Sequence, residues 1–193
     1  MKTRSNTLPP LIFACLAAAA LLLTGCGAPT SRGLIGSTPK QLDPAEWNGH
    51  WRTDDSSFVV RVADADGGLL EIGEVSERES ALHLSITHLY VRQEGEAMLF
   101  NLIDDADPGK AYTFGRMVRK NNSAVFWPCR IDSMEQLIAR HFITGQVTVQ
   151  NKTKQVMVTG GYDALAQQLA TPEGWLLLQL EEPVTIMRDR SGL

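Results

Sequence analysis

Phe58-Val59-Val60-Arg61-Val62-Ala63-Asp64-Ala65-Asp66-Gly67-Gly68-Leu69-Leu70-Glu71-Ile72 sets the period on which the chain is built. Phe58, Val60 and Val62 alternate with Val59 and Arg61, and Leu70 and Ile72 resume the alternation. Side chains of a strand point to opposite faces in turn, so a period of two predicts β-structure. Asp66-Gly67-Gly68 between the runs is a hairpin turn. The pattern repeats outward. Leu82, Leu84 and Ile86 alternate with His83, Ser85 and Thr87, and Gln93-Glu94-Gly95-Glu96 turns the chain into Met98, Phe100 and Leu102. Tyr112–Val118 and Ala124–Trp127 flank Asn121-Asn122, where a positive φ is tolerated. Val147 and Val149, then Val156 and Val158, flank a turn at Lys152; Trp175–Leu180 and Val184–Met187 flank Glu181-Glu182-Pro183. About ten short strands result, and tight turns make them antiparallel neighbours.

Two segments leave this period. Ile131, Met134, Leu137, Ile138 and Phe142 recur at helical spacing, which predicts a helix over Asp132–His141 with Asp132 and Glu135 as a capping box. Tyr162, Leu165, Ala166 and Leu169 predict a second over Tyr162–Ala170, ended by Pro172. A sheet of this size closes on itself or is covered by helices. The expected fold class is therefore α+β: a curved, mostly antiparallel sheet or half-open barrel of about ten strands with two short helices.

The whole chain has 193 residues, 44% hydrophobic and 21% charged, with a net charge of −4. Those proportions exclude a disordered or collagen-like chain. The acidic balance argues against duplex nucleic acid as a partner. Three cysteines are too few for a disulfide scaffold.

The first residues are unlike the rest. Lys2 and Arg4 precede an uncharged run, Leu11–Leu23. As a helix it covers about 20 Å, less than the roughly 30 Å of a bilayer core, so a cleaved secretion signal fits better than a permanent span. The run ends in Leu23-Thr24-Gly25-Cys26, which resembles the lipobox of bacterial lipoproteins. The resemblance implies cleavage after residue 25, a diacylglyceryl group on the Cys26 thiol and acylation of the new amino terminus. Several acyl chains give stable membrane anchoring. The family's inner-membrane retention signal, Asp after the Cys, is replaced by Gly27 and Ala28. This implies outer-membrane sorting with the domain facing the periplasm.

Cleavage leaves 168 of the 193 residues and, with Lys2 and Arg4 gone, a charge of −6. Residues 26–43 hold Pro29, Gly33, Gly36 and Pro39 without hydrophobic periodicity, which predicts a lipidated flexible tether reaching up to about 50 Å. Residues 44–193 are expected to form a single globular domain.

Chemistry-bearing motifs are sparse. His83 and His88 are five apart and point to opposite faces of a strand, and no HExxH or CxxC pair occurs, so no metal or other cofactor is expected. Asp64-Ala65-Asp66-Gly67 lacks the Gly and Glu positions of a calcium loop and reads as a turn. The acidic run Asp104-Asp105-Ala106-Asp107 also reads as a solvated turn. Cys129, twelve residues before His141, is the one thiol left after lipidation and reads as a buried small hydrophobe rather than a nucleophile. No catalytic residue is predicted. Arg116, Arg119, Lys120 and Arg130 form the one basic concentration, read as the solvated end of a hairpin.

Trp47-Asn48-Gly49-His50-Trp51 opens the domain, and Gly49-x-Trp51 resembles the first-strand motif of lipocalin-like barrels. That resemblance implies a Trp closing one barrel end against an Arg of the last strand, here Arg188. Two mid-chain helices depart from that family's plan. The function expected first is a non-enzymatic, outer-membrane-anchored periplasmic lipoprotein that binds another envelope protein or assists envelope assembly. A carrier of a small apolar ligand comes second, and an envelope hydrolase third.

Overall fold

The computed structural model describes residues 28–78, 81–104, 111–150 and 152–189. In chain order the elements are β1 (Thr30–Ser31), β2 (Thr38–Pro39), α1 (Pro44–Trp47), β3 (Gly49–Arg52), β4 (Ser57–Asp64), β5 (Leu69–Arg78), β6 (Ala81–Glu94), β7 (Ala97–Asp104) and β8 (Tyr112–Lys120). There follow β9 (Ser123–Pro128), α2 (Ile131–Ala139), β10 (Thr144–Gln150), β11 (Thr153–Gly160), α3 (Tyr162–Ala170), a 3₁₀ helix (Pro172–Leu177) and β12 (Val184–Arg188).

Strands β3 to β8 form an antiparallel meander. The last strand then returns: β12 pairs with β3 on one side and β9 on the other, and β9 pairs with β8. Those pairings close an eight-stranded barrel of β3–β9 and β12. Three of the remaining four strands form a wing, β10-β11-β1, which joins the barrel along β8, and the short β2 pairs with β6. Within the wing β1 runs parallel to β11 and antiparallel to β8.

The junction is made by dividing one edge of β8. Its first residues, Tyr112 and Thr113, pair with β1, whereas Gly115–Lys120 pair with β9. Gly115 sits where the edge changes partner, and a Cβ there would collide with the Trp127 carbonyl oxygen. Glycine in a strand commonly marks such a close backbone approach. Alternation along β8 then feeds two cores. Met117 faces the barrel interior and Phe114 faces the wing, both buried.

The barrel interior holds Trp51, Leu70, Leu89, Phe100, Met117 and Phe126 among others, with Phe100 and Phe126 edge-to-face at 5.4 Å. Eight strands enclose a space of the size that side chains can fill. The wing core gathers Met134 of α2, Leu165, Ala166 and Leu169 of α3, and Val156 and Val158 of β11; α2 packs on β11, and α3 on β7, β6 and the 3₁₀ helix.

The mostly antiparallel β reading therefore stands, while several details change. The barrel is closed through β12 rather than half-open. Twelve strands are described, two of them of only two residues. Residues 30–42 belong to the fold rather than to a flexible tether. β1 lies inside the sheet, Ile35 is fully buried, and the Asn101 side chain accepts a bond from Ile35 N (2.7 Å) and donates one to Ile35 O (3.0 Å). The β1 and β2 pairings, buried Ile35 and Leu42 and the Asn101 amide together dock a segment whose composition reads as a linker. Trp175–Leu180 is not a strand. Pro172 starts a 3₁₀ helix there, capped by the Thr171 hydroxyl accepting from Gly174 N. Helix α2 starts one residue early, so its cap position is Arg130, and Asp132 with Glu135 pairs instead with Lys154.

Candidate functional site

One barrel end is closed by tryptophan and arginine. The Asp43 carboxylate accepts from Ala45 N (2.8 Å) and Pro44 occupies the first turn, so a single helical turn, α1, forms at this end. It delivers Trp47 onto Trp51, the rings stacking at 5.7 Å with both side chains buried. Trp51 Nε1 donates to Trp47 O (2.8 Å), which satisfies the buried indole N–H.

Arg119, the last inward-facing residue of β8, lies over both rings, its Cζ 4.9 Å from Trp47 and 5.7 Å from Trp51. It also donates to Glu46 O, yet its Nε is buried without a hydrogen-bond partner. Burial lowers its pKa; Glu46 and Asp43 oppose that shift and Arg188 adds to it. Arg188 of β12 stands beside Trp51 across the strand pair and donates to Ala45 O (2.8 Å) and Asn48 O. The carbonyls left open by so short a helix are thus met by two guanidinium groups. Gly49, at φ 140°, leaves room for this, since a Cβ would come within 3.3 Å of Arg188 Nε. The arginine over the tryptophan is therefore Arg119, while Arg188 fastens the chain that carries Trp47.

A half-open cleft of about 460 Å³ borders this end, lined by Lys40, Leu42, Glu46, Trp47, Met98 and Arg119 among others. Its walls mix charge of both signs with apolar surface.

A second surface has a different character. On β5 and β6 the even-numbered β5 residues Leu70 and Ile72 face inward with Leu89 and Thr87, so Val75, Leu84 and Ile86 face out. Val75 is 62% exposed, Leu84 66% and Leu82 77%, with Val59 and Ile86 beside them. Gly73 lies between, and Leu84 leans over it. These five apolar side chains share one outer face. The hairpin extends about five residue pairs beyond its pairing with β4, roughly 17 Å. The sequence carried a signal for this patch: apolar positions fall at 82, 84 and 86 but at 89 and 91 thereafter. Only one parity can face the barrel.

The other expected residues are dispersed. Cys26 and the acidic run over 105–110 lie outside the described residues. Asp64 accepts from Gly67 N (2.9 Å), making the turn predicted there. His83 and His88 do face opposite sides; His88 lies 3.7 Å from Glu71, and no group of three metal-ligating side chains occurs among the described residues. Cys129 is fully buried in the wing core, and burial pushes its thiol pKa up, which disfavours the thiolate. The basic concentration is not one patch. Arg116 points to the wing, 4.1 Å from the Trp175 ring and donating to Leu169 O (3.0 Å) and Thr171 O (3.2 Å), while Arg119 points into the barrel. No described helix is long and apolar enough to cross a membrane.

Compared with protein-family models, curated proteins and solved structures, the chain matches none.

Proposed function

We propose that this chain is a lipid-anchored, outer-membrane lipoprotein of the periplasm that works by binding another envelope protein, without catalysis of its own. The observation that carries the reading is the apolar outer face of the β5–β6 hairpin. A contiguous apolar patch on an exposed, projecting element marks an interaction surface.

Its position supports a protein rather than the anchoring membrane as the occupant. Cys26 stands four residues before Thr30, a reach of about 14 Å. The chain comes into β1 antiparallel to β8, from the Gly115 side, whereas the hairpin overhangs the Tyr112 side. The chain thus enters β1 at the end of β8 away from the hairpin's overhang, which supports a protein as the occupant of the patch.

The test uses the full chain with a photo-crosslinking residue at Val75, in cells. A discrete protein adduct is expected, lost when Leu82→Ser and Leu84→Ser are added, changes at exposed positions that should leave the melting temperature nearly unchanged. Vesicle flotation of the Cys26→Ser chain with phosphatidylethanolamine–phosphatidylglycerol liposomes gives the opposing outcome. Flotation that depends on Leu82 and Leu84 would assign the patch to lipid and overturn the reading.

A ligand-carrier role has the closed barrel in its favour. The cleft beside Trp47 and Arg119, at the closed barrel end, is where such a ligand would be met.

A further inference from the structure

The wing ends in β10, whose sequence over its last five residues is Gln146-Val147-Thr148-Val149-Gln150. Among the described residues β10 pairs only with β11. An edge strand of this length is normally protected by a charge, a proline or a bulge in mid-strand. Thr144–Gln150 has no charged residue and no proline, and its one register shift is at Thr144/Gly145. We propose that this edge is the interface of a symmetric dimer, in which two copies of the chain pair antiparallel through β10, centred on Thr148.

Four observations converge on a second copy as the occupant. First, the five residues are a palindrome. An antiparallel two-fold about Thr148 sets Gln146 opposite Gln150, Val147 opposite Val149 and Thr148 opposite itself, so every residue meets a like chemistry. Self-complementarity of this kind is what an isologous interface requires.

Second, the backbone phase agrees. Gln150 and Thr153 pair directly across a two-residue loop, which makes them a hydrogen-bonded pair. Bonded pairs then alternate, so Thr148 and Gln146 also bond inward to β11. The N–H and C=O groups of Val147 and Val149 point to the free edge. In the proposed register those same two residues face each other and exchange their bonds.

Third, charge permits the approach. In a two-fold seam each charge approaches its own copy, and β10 carries none. Of the two lysines beside the strand, Lys152 lies past its end in the turn, and Lys154, opposite Val149, is held by Glu135 at 2.6 Å and Asp132 at 3.5 Å on its own α2.

Fourth, Val147 and Val149 lie on the face covered by α2, in register with buried Val156 and with Lys154, yet Val149 is 70% exposed. A second copy brings its own Val147 and Val149 alongside and its own α2 to the same face. The valines then become cross-strand pairs.

The register makes the test specific. At the centre, Thr148 forms a non-hydrogen-bonded pair with its own copy, with Cα atoms about 4.5 Å apart, within disulfide range. In the full chain, Thr148→Cys should form a disulfide-linked dimer on mild oxidation. Gln146→Cys and Gln150→Cys should each do so poorly alone and efficiently when mixed, at least tenfold above either alone. Val149→Pro removes an outward N–H that no internal bond uses. It should abolish the Thr148→Cys crosslink and convert the sedimenting species from dimer to monomer. Equal crosslinking at all three positions, no crosslinking at Thr148, or a Thr148→Cys adduct with a different protein would each overturn the proposal.

Discussion

Arg119 holds its guanidinium 4.9 Å from the ring centre of Trp47 while its Nε, inside the barrel mouth, has no hydrogen-bond partner. An unpaired buried donor is destabilising, and the cation–π contact together with the bond to Glu46 O offsets it. The arginine is thus a lid as much as a charge. Trp51→Ala should cost about 3–5 kcal/mol in urea unfolding, because it empties the centre of the barrel end. Arg119→Met should cost less than about 1.5 kcal/mol, since it keeps the volume and removes the orphaned donor. Arg119→Ala should cost distinctly more than Arg119→Met. Equal losses for Met and Ala would show that the charge, not the cover, is what matters.

Asn101 fastens the amino-terminal segment to the barrel. Asn101→Ala strands the N–H and C=O of buried Ile35 and should cost about 2–4 kcal/mol. Limited proteolysis of the unaltered chain should spare residues 30–43, and the variant should become sensitive there. Rapid cleavage of the unaltered protein between 30 and 43 would contradict the docking of this segment.

Cys26→Ser should abolish incorporation of labelled palmitate and release the protein from membranes. Persistent labelling would remove the anchor from the proposed function.

Cys129 gives a pH signature. Its thiol pKa is raised in the folded state from an ordinary value of 9.0, so the folded chain keeps a proton that the unfolded chain releases. That contribution to stability is complete below pH 9 and declines as the pH climbs above it. Cys129→Ala should flatten the decline between pH 9 and 10 in unfolding curves. A thiol reagent should modify native Cys129 no faster than the protein unfolds; rapid native labelling would revive a reactive thiol.

The β-period, the turns at Asp64–Gly67 and Asn121, and helix α3 were legible because they are local. They depend on alternation, on residues that tolerate a positive φ, and on a helical stripe that Pro172 follows. Trp175–Leu180 reads as a strand, yet its first residues complete the 3₁₀ helix Pro172–Leu177, because an apolar run fits either and the choice falls to what the chain packs against. The hairpin patch was half legible: the parity change between Ile86 and Leu89 lies in the sequence, but which parity faces inward is set by Leu70 and Leu89 meeting in the barrel. The arginines of β8 looked like one cluster because neighbours in sequence share a patch only when they share a face.

By itself the sequence determined an antiparallel sheet, two helices on its later half, and the Gly49-x-Trp51 motif at the domain's opening. It also carries Leu23-Thr24-Gly25-Cys26, on whose resemblance to a lipobox the proposed envelope anchoring rests. Only the tertiary structure decided that the sheet closes, since closure needs β12 to insert between β3 and β9, partners more than 50 positions away. It alone decided that residues 30–42 are folded, because the β1 and β2 pairings, buried Ile35 and Leu42 and the Asn101 amide outweigh a linker-like composition. Period and turns are properties of a few adjacent residues. Closure and docking are properties of pairs that the chain brings together only once it has folded.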